Sequence, residues 1–122
     1  MYTAGDINQV IRRPPGEVGF PDAPTGWSTE EARETADADG LYLSEAHWDV
    51  VRALQGFFAR HEGAAGVNLR ELHDALDERF HAIGGLRQLY KLFPGGPVAQ
   101  GCRIAGLKAP SLSQDSSFGS VA

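Results

Sequence analysis

One cysteine, Cys102, four histidines and a scatter of carboxylates are the side chains of this 122-residue chain whose types could do chemistry. A thiol can attack a sulfane sulfur or a disulfide, but it does so as thiolate, which calls for nearby positive charge and for access. Arg103 is adjacent to Cys102, and Lys108 follows shortly after. The stretch that holds the cysteine, "LYKLFPGGPVAQGCRIAGL" (89–107), ends in a short helical run between glycine breaks. Along that run Val98, Cys102 and Ala105 share a stripe, so the plainer reading of the cysteine is a small buried hydrophobe. The pattern alone leaves both readings open.

The remaining chemistry-bearing residues form no recognisable set. His47, His61, His73 and His81 match no metal-ligand spacing, and no second cysteine completes a zinc site. His47 falls in the first turn of a helix, and His61 in the last turn, where a cation suits the helix dipole. The carboxylates of Glu71, Asp74, Asp77 and Glu78 read as a solvated helix face. The order helix 45–61, glycine-containing break, helix 69–80 resembles a helix-turn-helix, whose second helix should present basic or amide groups to DNA. This one presents a net negative face, and the chain carries a formal charge of −5. Nucleic acid is therefore a poor partner, since phosphate binding depends on Lys and Arg. "FPGGPVAQG" lacks the Gly-Lys-Ser/Thr ending of a P-loop and the spacing of a dinucleotide fingerprint. No nucleophile–base pair, paired carboxylates or cofactor motif is present, so no cofactor and no independent enzyme is expected.

The elements that must position these residues follow from punctuation and periodicity. Residues 1–27 are loop-rich: "RRPPGEVGFPDAPTGW" holds Pro14, Pro15, Pro21 and Pro24, and the short apolar pieces 7–11 and 18–20 make a small β-hairpin at most. Ser28 with Glu31 three residues on is a capping-box signature that opens a helix ending near "DADG". Ser44 caps a stronger helix whose Val50, Val51, Leu54, Phe57 and Phe58 form one stripe. Asn68 caps the next, with Leu69, Leu72, Leu76 and Phe80 on a face. After "AIGG" a helix over 86–93 aligns Leu86, Leu89, Tyr90 and Phe93. Pro97 suits the first position of a last helix running to about Ala105 and stopped by Gly106. The reading is a mainly α fold: a small bundle of about five helices, with a short N-terminal β-hairpin and a flexible C-terminal arm. None of the helices is long enough to be stable alone, so their stripes must pack on one another.

With 42% hydrophobic residues, the chain is ordinary for a globular protein. Its length bounds it to one domain, read as 1–107 with a helical core at 28–107, followed by a Ser-rich tail over 108–122. No apolar run is long enough for a membrane span or signal peptide, and a single cysteine permits no internal disulfide. A cytoplasmic protein is expected.

"LYKLFPGGPVAQGCRIAGLKAP" resembles the C-terminal region of the DsrC/TusE family of sulfur-relay proteins. The shared run is Leu-Tyr-x-Leu-Phe-Pro-x-Gly-Pro, then Gln-x-Cys, then Ala-Gly-Leu and a proline. "GFPDAPTGW" and "LYLSEAHWDVVRALQGFF" resemble further family segments, so the likeness covers about residues 19–110. It implies a small helical bundle with an N-terminal hairpin and a flexible arm. In DsrC proteins one cysteine lies where Cys102 lies and a second lies on the arm, eleven positions later; sulfur passes between the two. TusE-type relatives keep the arm cysteine alone. A third, RspA-like group keeps the upstream cysteine alone and is linked to regulation.

Here the position eleven after Cys102 is Ser113, whose hydroxyl can form neither a persulfide nor a disulfide. Asn68 stands where the family has an arginine, and Ala99 where many relatives have lysine; both changes remove positive charge that could favour a thiolate. What the resemblance implies is therefore a sulfur-trafficking accessory protein with Cys102 as a persulfide or mixed-disulfide site, aided by Arg103 and Lys108. A protein partner of sulfur metabolism, sulfite-reductase-like or sulfurtransferase-like, is implied with it. The alternative is a sulfur- or redox-responsive regulatory module that binds a protein partner. A weaker third reading makes Cys102 structural.

Overall fold

A computed structural model describes residues 19–61 and 67–110. The expected hairpin falls almost wholly outside these residues, as does the expected arm beyond Pro110. Among the described residues the chain forms five α-helices and one 3₁₀ turn. They are α1 (Thr29–Ala38), α2 (Glu45–Arg60), α3 (Leu69–Arg79), the 3₁₀ turn His81–Ile83, α4 (Gly85–Leu92) and α5 (Ala99–Ala105). None is long and apolar enough to cross a membrane.

The helix starts use the residues that the sequence offers for them. Ser28 Oγ accepts from the Glu31 N–H at 3.1 Å, and Asn68 Oδ1 accepts from the Glu71 N–H at 3.0 Å. Glu30 and Glu31 add negative charge to the first turn of α1, where the dipole favours it. Before α4, where no Ser, Thr or Asn is available, Asp77 reaches over from α3 and accepts from the Leu86 N–H at 2.7 Å. The regular part of α5 begins at Ala99, two residues after Pro97. Gly96 nevertheless accepts from the Gln100 N–H at 2.9 Å, so the helical turn begins around the proline.

Two helix ends share one device. Gly40 after α1 and Gly106 after α5 have φ of +71° and +79°, a left-handed conformation that costs glycine nothing. Each allows the next residue's N–H to bond back across the last turn, Leu41 to Ala36 O and Leu107 to Cys102 O, both at 2.8 Å. This is the Schellman arrangement.

α2 is the axis of the molecule. Val50, Val51 and Leu54 on it are fully buried, and α3 and α5 pack against it. α1 lies on α5 through Ala32 and Ala36, small residues that let the two helices approach. α4 packs on α3 and contributes Leu89, with Phe93 following it into the core. The contact of α5 with α2 is close: a Cβ at Gly101 would stand 2.9 Å from Leu54 Cδ1. α5 is thus pressed between α1 and α2.

Candidate functional site

The side chain of Cys102 points into this interface and has no solvent exposure. Val98 and Ala105 are buried with it. Burial pushes its thiol up to about 12, from an ordinary value of 9.0. No nearby charge offsets that effect: at neutral pH the site holds a protonated thiol, not a thiolate.

Arg103 and Lys108 lie elsewhere. The Arg103 guanidinium is at the surface and pairs with Asp39, the residue that ends α1. Gln100, buried at 6% exposure, donates to the same Asp39 oxygen at 3.1 Å, and its own carbonyl accepts from the Gly95 N–H at 2.9 Å. The hydrogen bond from Gln100 is the largest effect on the Asp39 carboxyl; burial raises it in opposition, and Arg103 adds to Gln100 so that the group is held below its ordinary value. Lys108 is exposed in the chain that leaves α5. The structure therefore brings Arg103 to α1, and neither cation to the sulfur.

What surrounds Cys102 is a lock on the C-terminal turn of α5. A helix leaves its last four carbonyls without intrahelical partners. Those of Cys102 and Arg103 are met by the N–H groups of Leu107, at 2.8 Å, and Gly106, at 3.4 Å. The Ile104 carbonyl accepts from Trp27 Nε1 at 2.9 Å, and the Ala105 carbonyl accepts from Gln55 Nε2 at 3.0 Å. Both donors are buried, so these bonds are shielded from water. Moving Cys102 outward means breaking several of them together.

Sequence reasoning singled out the thiol and missed the groups that hold it: Trp27, Asp39, Gln55 and Gln100. One signal was available. Gln55 lies four residues after Val51, on the apolar stripe of α2, where a polar residue needs a buried partner.

The histidines lie at separate places. His47 Nδ1 accepts from the Ser44 N–H at 2.9 Å, which leaves Nε2 to carry the proton and donate to the Leu92 carbonyl at 2.7 Å. Its ring meets Phe93 edge-on at 4.9 Å. His61 stacks on Phe57 at 4.1 Å. His73 lines a groove between α3, Tyr90 of α4 and the stretch around α5's start, and His81 opens the 3₁₀ turn.

Comparison with known proteins agrees with this architecture and with the motifs around Cys102. The family model described as DsrC like protein matches residues 14–112. The sulfurtransferase TusE of Pectobacterium atrosepticum is 38% identical over 87 residues, covering 70% of this chain and 78% of that protein. The TusE of Escherichia coli K12 is 38% identical over 85 residues, covering 69% and 76%. The NMR structure of Allochromatium vinosum DsrC superposes with a TM-score of 0.59 at 33% identity, over 78% of each chain. With a fold, a set of motifs and a family match that run through the same residues, this chain belongs to the DsrC-like protein family.

Proposed function

We propose that this chain works in a sulfur relay as a partner-dependent accessory protein, with Cys102 as its sulfur site when a partner opens the end of α5. The relatives named as sulfurtransferases support a relay role. One observation carries the partner dependence: the only thiol is buried, and its burial raises the thiol well out of the range of a ready nucleophile. In the reaction the Cys102 thiolate attacks the outer sulfur of a donor persulfide. A sulfur–sulfur bond forms at Cys102, the donor's own bond breaks, and the donor leaves as thiolate. The proton of Cys102 must first pass to a base, which a partner would bring. The partner expected is a protein of sulfur metabolism, of sulfurtransferase or sulfite-reductase type.

A second reading has an observation of its own. The place of the arm cysteine is taken by Ser113, so the chain has no second thiol to which Cys102 could pass sulfur. A regulatory module, in which the state of Cys102 changes partner binding, needs no second thiol.

Intact-protein mass spectrometry after exposure to a small persulfide donor tests the proposal, with Cys102→Ala as control. The folded wild type should take up little sulfur alone, and one sulfur atom, removable by reductant, when a cognate sulfurtransferase is present. Uptake that the partner does not accelerate would overturn partner dependence. Later discharge to an acceptor supports the relay, whereas partner capture that changes with the state of Cys102 and no discharge supports the regulator.

A further inference from the structure

A cleft of about 280 Å³ lies between α2, α3 and the segment before α1. Arg52, Arg60 and Arg79 line it, against one carboxylate, Asp22. This is a concentration of positive charge in a chain whose formal net charge is −5. Each guanidinium is placed near an aromatic ring: Arg52 over Phe20 at 4.5 Å, Arg60 over Phe57 at 6.0 Å and Arg79 over Phe80 at 5.9 Å. Such stacking uses the flat faces of the groups and leaves N–H edges free to donate. Arg52 spends part of its fork on Asp49 and on the Gly19 carbonyl. The only ion pairs among the described residues are Arg52–Asp49 and Arg103–Asp39, so Arg60 and Arg79 are in none.

Between Arg52 and Arg60, one helical turn from each, stands Gly56. Glycine inside a helix costs about 1 kcal/mol relative to alanine, so its presence in mid-helix calls for a reason. A Cβ there would lie 3.3 Å from Asp22 Oδ2 and 3.4 Å from Arg60 Nη1, so the glycine lets both side chains close in over the helix at the cleft. Phe57, Leu72 and Leu76 make much of the remaining lining apolar, and Gln55, whose buried Oε1 has no hydrogen-bond partner, is its polar member.

We infer that this cleft binds a small organic oxyanion, a sulfonate, carboxylate or phosphate on a compact apolar body, its charged head held by Arg60 and Arg79 on the side away from Asp22. Guanidinium forks match planar or tetrahedral oxyanions through paired N–H···O bonds, and the apolar lining accepts the body. The inference does not depend on the sulfur role of Cys102.

Benzenesulfonate is a suitable probe, titrated into the isotope-labelled full chain and followed by NMR, with benzyl alcohol as its uncharged counterpart. The Gly56 amide and the Arg60 and Arg79 Nε–H signals should shift and saturate with benzenesulfonate and respond little to the alcohol. Arg60→Gln and Arg79→Gln should each weaken binding roughly tenfold, and Arg60→Lys should not restore it. Both arginines are exposed, so these variants keep the fold, which the spectra check directly. Gly56→Ala should weaken binding by displacing the Arg60 guanidinium. Shifts that fail to saturate, an equal response to benzyl alcohol, or an affinity indifferent to Arg60→Gln and Arg79→Gln would overturn the inference.

Discussion

Trp27 and Gly106 are in mutual contact in a way that only glycine permits. A Cβ at Gly106 would stand 2.6 Å from Trp27 Cδ1, and the same indole donates to the Ile104 carbonyl. The glycine is also held at a φ of +79°. Gly106→Ala therefore meets both a backbone penalty and an overlap with a packed ring, and should cost about 2–4 kcal/mol. Trp27→Phe keeps much of the ring but leaves a buried carbonyl unpaired, at about 1–3 kcal/mol. Urea unfolding should show lower midpoints with unchanged slopes for both. A Gly106→Ala protein as stable as wild type would mean that the end of α5 is not locked in this way.

His47 joins the start of α2 to the end of α4. It is buried at 6% exposure, accepts from the Ser44 N–H and donates to the Leu92 carbonyl. His47→Ala removes both bonds and the edge contact with Phe93, and should cost about 2–4 kcal/mol. Native-state hydrogen exchange should show the loss concentrated at the first turn of α2 and around Leu92. A uniform loss over all helices would assign His47 to general packing instead.

These two clusters show which parts of the molecule the sequence makes legible. Ser28, Asn68, Gly40 and Gly106 punctuate the helices by local rules, each acting within a few residues, and the structure starts or stops helices at them. The apolar stripe of α2 likewise becomes the core. The partners of the candidate site act over long separations instead: Trp27 to Ile104 spans 77 residues, Asp39 to Arg103 spans 64, and Gln55 to Ala105 spans 50. No periodicity encodes such pairings. Arg103 is the instructive case, because adjacency in sequence put it beside the thiol, while a helix turns neighbouring side chains about 100° apart. Its guanidinium points to α1 and the sulfur to the core.

Asp39 makes the α1–α5 contact sensitive to acid. Its carboxyl is held below the ordinary 3.8, first by Gln100 and then by Arg103. A group whose value is lower in the folded protein contributes stability above its unfolded value, and that contribution is lost as pH falls through the folded value. Wild-type stability should therefore decline as pH drops below about 4, the ordinary carboxylate range. In Asp39→Asn that part of the decline should be missing, and the variant should be less stable at neutral pH. Parallel stability–pH curves for the two proteins below pH 4 would remove Asp39 from the account.

Cys102 makes the opposite end of the pH scale informative, and the sign differs. Its thiol is raised in the folded protein from 9.0 to about 12. The unfolded chain therefore releases the proton first on raising the pH, so the stability this group contributes is complete below about pH 9 and lost progressively up to about pH 12. One proton gives a slope of about 1.4 kcal/mol per pH unit in that window. Cys102→Ala, which has nothing to titrate, should lack this slope and lose about 1 kcal/mol of packing at neutral pH. Cys102→Ser should do worse, by about 1–3 kcal/mol, because it puts a hydroxyl where the sulfur has no exposure. Alkylation by iodoacetamide reads the same property as a rate: slow in the folded protein and still rising with pH at pH 10, fast and levelling off above pH 9 once the chain is unfolded in urea. A folded-state rate that levels off near pH 8 or below would mean an accessible thiolate, and the partner that opens α5 would then be unnecessary for sulfur to reach Cys102.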